Sequence, residues 1–123
     1  MALRLSTGLR NMLLGTASFK TIMQNGVIRI FPGVQPASAD DGEGASPLLE
    51  ITVSSGAFTP GAAANGINFA APAAGACAKA SGEVWSGAAT TSGTAGWFRF
   101  YANDRTAGAT TTIDSFVVTM PAS

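Results

Sequence analysis

Gly96-Trp97-Phe98-Arg99-Phe100-Tyr101 is the stretch that decides the fold. Its aromatic side chains mark it as a β-strand belonging to the core. Period-two alternation puts Trp97, Arg99 and Tyr101 on one face and Phe98 and Phe100 on the other. The segments around it read the same way. Val27-Ile28-Arg29-Ile30-Phe31 is a β-branched run ended by Pro32-Gly33. In Leu48-Leu49-Glu50-Ile51-Thr52-Val53, Leu49, Ile51 and Val53 share one face, with Glu50 and Thr52 on the other. Ile67-Asn68-Phe69, Glu83-Val84-Trp85 and Thr111 to Met120 complete the set, separated by Gly, Pro, Ser and Asn turns. Short strands at this spacing, without strand–helix–strand alternation, predict an all-β fold: a small antiparallel β-sandwich, jelly-roll-like.

Only the first quarter has a helical period. Ser6 or Thr7 can cap a helix in which Leu9, Met12 and Leu13 share a side, and Gly15 stops or kinks it. Ser18 can cap a second turn from Phe19 to Gln24, which Asn25-Gly26 ends. Two such helices are unstable alone and must lie on the sheet or on a neighbour. The expected organisation is a helical arm over 1–25 and a β domain over 26–123, together a single domain.

Composition narrows the function. The 123 residues are 46% hydrophobic and only 11% charged, with no histidine, where about 25% charged is usual. Residues 1–39 carry Arg4, Arg10, Lys20 and Arg29 and no acid, a net of +4; residues 40–123 carry three cations and seven acids, a net of −4. Low charge suits a chain packed against neighbours, because charge is depleted at the centre of interfaces. The absence of histidine removes the side chain that most often acts as a base near neutral pH, and no Ser–Lys pattern or phosphate loop replaces it. The expectation is therefore a protein that is not an enzyme and holds no cofactor. Zinc ligation fails for want of ligands. The run Asp40-Asp41-Gly42-Glu43 lacks the ligand spacing of a calcium loop and reads as solvated. Cys77, among alanines and glycine, reads as a small buried hydrophobe. Arg99 between two phenylalanines imitates a base-stacking strand, but a neutral β domain lacks the basic stripe that direct nucleic-acid binding needs. No stretch approaches the roughly 18 apolar residues of a membrane helix, and the start reads as part of the mature protein.

Several strings carry a resemblance. They are Leu3-Arg4-Leu5-Ser6-Thr7-Gly8-Leu9-Arg10-Asn11, Ile51-Thr52-Val53-Ser54-Ser55-Gly56, Glu83-Val84-Trp85-Ser86-Gly87, Gly93 to Tyr101 and Thr111-Thr112-Ile113-Asp114-Ser115-Phe116. Over nearly its whole length the chain resembles a group of small tailed-bacteriophage and prophage virion proteins. The resemblance implies a structural subunit made in the bacterial cytoplasm and located in the virion. The favoured expectation is a capsid cement or decoration protein, a homo-oligomer whose partner is the major capsid protein or another virion protein. Arg4 and Arg10 would meet an acidic capsid surface, with Leu9, Leu13, Phe19 and Lys20 as further interface candidates. A tail, neck or head–tail joining subunit is the first alternative. The second is a carbohydrate- or receptor-binding module using Trp85, Trp97 and Tyr101. In one departure, Asp104 to Gly108 joins two strands almost directly where the group has a longer segment, which leaves an edge for a neighbour to cover.

Overall fold

The computed structural model describes residues 3–103 in full and 115–119 as backbone. Six strands, β1 (Leu3–Leu5), β2 (Val27–Pro32), β3 (Leu49–Val53), β4 (Trp85–Ser86), β5 (Ala95–Tyr101) and β6 (Ser115–Thr119), make one sheet. Its order is β1-β6-β5-β2-β3-β4, and each neighbouring pair is antiparallel. Helices α1 (Thr7–Gly15) and α2 (Phe19–Ile22) join β1 to β2. The expected mostly-β, antiparallel character with short N-terminal helices stands. Among the described residues the named strands form a single sheet.

The alternation expected of the aromatic strand sets the two faces. Cross-strand register aligns Trp97 with Phe31, Arg99 with Arg29 and Tyr101 with Val27 on one face, and Phe98 with Ile30 and Phe100 with Ile28 on the other. The second face is covered at one end. There Phe100 meets Leu9, Ile22, Met23, Ile67 and Ala102 in a buried cluster, with Phe69 and Trp85 at its margin. Phe69 lies 5.7 Å from the Phe100 ring and 5.4 Å from that of Phe19. The first face is covered by the 35–43 loop, whose Ala39 is buried with Phe31 and Trp97. Phe31 and Trp97 stack at 4.3 Å.

The caps fall where side-chain chemistry puts them. Ser6 Oγ accepts from Leu9 N, and Ser18 Oγ accepts from Thr21 N. Asn25 takes the left-handed conformation at φ 55°. Gly26 follows, where a Cβ would run into the Tyr101 carbonyl, so the chain can enter β2 only with glycine there.

Several expectations are corrected. The first 25 residues are not an arm apart from the β body: β1 pairs with β6, and Leu9, Ile22 and Met23 lie in the core. Leu3–Leu5 is a strand that local pattern does not mark, because three residues carry too little period and the partner strand lies over a hundred residues away. The acidic run is not a solvated loop, since Asp40 and Glu43 bind back onto the fold. Glu50, on the polar face that alternation gave it, is engaged there too: its Oε2 lies 3.3 Å from Arg29 Nε. Cys77 is exposed rather than buried, because it sits just past the Ala73–Ala76 bridge of a hairpin that stands off the core. The Asp104–Gly108 link, Asp114 and the Thr111 start of the last strand lie outside the described residues.

Candidate functional site

One row of register runs across five strands on the first face: Arg4, Val117, Arg99, Arg29, Glu50. Its inner part is a covered ionic network. Arg29 forms ion pairs with Glu43 and Glu50. Tyr101 Oη donates to Glu43 at 2.6 Å. Arg99, with no exposed surface, donates from Nη1 to the Asp41 carbonyl at 3.0 Å and to Tyr101 Oη at 3.3 Å. Its guanidinium lies 5.4 Å and 5.7 Å from the Trp97 and Tyr101 ring centres. Arg99 Nε and Nη2 find no acceptor among the described residues. Burial pushes the Tyr101 hydroxyl up to about 12, reinforced by its bond to Glu43 and partly opposed by Arg99.

The outer end of the row opens to solvent. Arg4 and Arg10 line a groove of about 370 Å³ together with Leu3, Leu5, Ala37, Ser38 and Ala39. Strand β1 positions Arg4 and the first turns of α1 position Arg10. Asp40, next in the chain to the groove residue Ala39, is already engaged, since its two oxygens accept from Thr7 N at 2.8 Å and Thr7 Oγ1 at 2.7 Å. Arg10 Nη2 donates to that Thr7 hydroxyl at 3.0 Å. Among the described residues neither Arg4 nor Arg10 has a carboxylate within ion-pair distance. The groove therefore presents two guanidinium groups beside a serine, a set that suits a carboxylate or phosphate.

The other interface candidates separate. Leu9 is fully buried and belongs to the core, so it cannot face a partner. Leu13 is exposed, as is Leu14, which was not singled out from the sequence. Phe19 is half-buried at the core margin, and Lys20 lies in the last turn of α2. The charge difference between the halves is thus resolved in two ways. Arg29 is neutralised inside the fold, while Arg4 and Arg10 converge on the surface.

Two other places carry polar groups. A cleft of about 250 Å³ is lined by Glu50, Thr52, Ser55, Phe58 and Thr90 among others. Its polar groups are mostly engaged: Glu50 with Arg29, Thr52 Oγ1 with the Gly56 carbonyl, and Ser55 with Ser86. Glu83 pins the 68–85 region, accepting from Asn68 N, Asn68 Nδ2 and Trp85 Nε1 at 2.8–3.0 Å. Burial acts to raise its carboxyl pKa, but the bonds from Trp85 and Asn68, with help from Lys79, hold it below the ordinary value. The aromatic trio offered for sugar stacking is not a shared exposed platform, because Trp97 and Tyr101 are buried.

Among the described residues no helix is long and apolar enough to cross a membrane. No family model, curated protein or solved structure matches this chain.

Proposed function

We propose that this chain is a non-enzymatic structural subunit of a bacteriophage particle, a cement or decoration protein that docks on an acidic surface of the head shell. The observation that carries the docking reading is the convergence of Arg4 and Arg10 in one open groove without a carboxylate partner among the described residues. The particle itself is what the sequence resemblance implies. The low charge of the chain fits a subunit repeated over a shell, where modest contacts add through multivalency. The small sandwich or jelly roll belongs to this reading as well. Among the described residues the apolar second face is covered at its Phe100 end and open beside Phe98, and a further layer there completes two-layer packing.

The test is incorporation. Purified particles of the phage that encodes the chain should contain it in stoichiometric amount. A folded Arg4→Glu/Arg10→Glu variant supplied in trans should stay in the soluble fraction. Absence of the wild-type chain from the particles overturns the reading. Incorporation of the double variant at the wild-type level removes the groove from it. Six- or twelve-fold rings on purified tails would favour the tail or neck alternative. Point variants are the appropriate probe, because deleting residues 1–25 would remove Leu9, Ile22 and Met23 from the core.

A further inference from the structure

Strand β1 stands at one end of the strand order, with β6 on one side and no strand on the other among the described residues. Alternate N–H and C=O groups along an edge strand point away from the sheet and can pair with another extended chain. The basic groove lies at this rim, for all three residues of β1 line it, Arg4 from one face and Leu3 and Leu5 from the other. Arg10 and residues 37–39 form its remaining walls. Arg4 is half-buried and Arg10 exposed. Leu3 is 64% exposed, while Leu5 packs at the margin of the main cluster.

We infer that this rim takes an extended segment of a partner protein, added beside β1 as a further strand, in which acidic and apolar residues alternate. The inference rests on the docking reading above and gives the acidic surface its form. Charge complementarity selects the occupant. A residue of the added strand directly opposite Arg4 has its Cβ about 5 Å from that of Arg4, inside the groove that Arg10 and Ser38 share. A carboxylate there meets two guanidinium groups that have no carboxylate within ion-pair distance among the described residues. The next residues along the segment fall on the other face, beside Leu3 and Leu5, where an apolar side chain covers exposed Leu3. A basic segment would be repelled, and a helix has already spent its backbone hydrogen bonds internally.

In strand addition the main chain supplies affinity and the side chains supply selection. Three residues of edge offer few backbone hydrogen bonds, and edges this short resist indiscriminate pairing. One segment alone is therefore held weakly, with a dissociation constant of about 10 µM to 1 mM. The two arginines decide which segments are held at all, and salt weakens that selection because exposed charges are screened. Repetition over a shell turns such weak contacts into stable attachment.

Fluorescence anisotropy of a labelled peptide of alternating valine and glutamate, titrated with the full chain, tests this. The peptide should bind, and its valine–lysine counterpart should not. Methyl groups on the glutamate amides alone, or on the valine amides alone, block opposite edges of the extended peptide. One methylated peptide should lose at least about tenfold in affinity and the other should keep it. Arg4→Glu/Arg10→Glu should weaken the unmodified peptide at least about tenfold. Failure of the valine–glutamate peptide to bind overturns the proposal. So do two methylated peptides that behave alike, since charge alone would then hold the segment, and so does tighter binding of a single-stranded oligonucleotide. Particle incorporation that depends on Arg4 and Arg10, with no peptide binding, would keep the docking reading and remove the added strand. Peptide binding by a chain that is absent from the particles would do the reverse.

Discussion

Arg29 and Arg99 stand directly opposite each other on β2 and β5, on the same covered face of the sheet. Like charges at opposed positions destabilise a sheet, so the surroundings must compensate. Glu43 and Glu50 pair with Arg29, while Arg99 is held by the Asp41 carbonyl, Tyr101 Oη and two aromatic rings. The 35–43 loop is thereby fastened to the sheet, and the same loop forms one wall of the Arg4/Arg10 groove.

Glu43→Gln should destabilise the fold by about 1–3 kcal/mol, since one carboxylate serves both Arg29 and Tyr101. The pair is partly solvated, which keeps the cost below that of a fully buried ion pair. Urea unfolding checks this. An unchanged midpoint would show that Ala39, Asp40 and Asp41 hold the loop without Glu43.

Arg99→Met should cost little, within about 1 kcal/mol of wild type. The substitution keeps much of the side-chain volume and removes two guanidinium nitrogens that lack an acceptor among the described residues. The same urea series measures it. A loss above about 3 kcal/mol would mean that the contacts to Asp41 and Tyr101 outweigh the burial of the charge.

Tyr101 is the sole tyrosine in the chain, so absorbance near 295 nm reports on it alone. Its folded pKa is raised to about 12, above the roughly 10 of an unfolded tyrosine. Protection of the neutral hydroxyl therefore contributes stability that is complete below about pH 10 and is lost as pH rises towards 12. Tyrosinate should appear only near pH 12, or together with unfolding. A reversible titration near pH 10 in the folded protein would contradict the buried hydroxyl.

Glu83 gives the acid counterpart. Its folded pKa is depressed, so the stability it contributes is present above the unfolded value of about 4.3 and is lost as pH falls through the lower folded value. Glu83→Gln should lower stability at pH 7 and flatten the loss on acidification. The reporter is Trp85, whose Nε1 donates to Glu83 at 2.8 Å. Parallel acid profiles for variant and wild type would exclude Glu83 as the titrating group.

Leu9→Ala should cost about 2–5 kcal/mol, because the side chain is fully buried in the main cluster. Leu14→Ala, on the exposed side of the same helix, should stay within about 0.5 kcal/mol. Thermal melts of both variants check the pair. Equal effects would mean that α1 is not seated on the sheet as described.

Local chemistry determined much of the fold from the sequence alone. Alternation in Trp97 to Tyr101 assigned each side chain to its face. Hydroxyls at Ser6 or Thr7 and at Ser18 marked where the helices start, since a hydroxyl at the cap takes an otherwise unpaired backbone N–H, and the structure chose Ser6 for the first. The tertiary structure alone decided what depends on distant partners. Leu3–Leu5 is a strand only because β6 lies beside it, and three residues have no period of their own. Glu43 is an internal counter-ion because its loop folds back over Arg29, fourteen positions earlier. Leu9 and Arg10 are neighbours in sequence, yet one is core and the other lines the groove. A 3.6-residue turn separates their directions, but only the seated helix determines which direction is inward. The same holds for the register row of Leu3, Val118, Phe98, Ile30 and Leu49: these residues are scattered from position 3 to position 118, and only strand order and register bring them together.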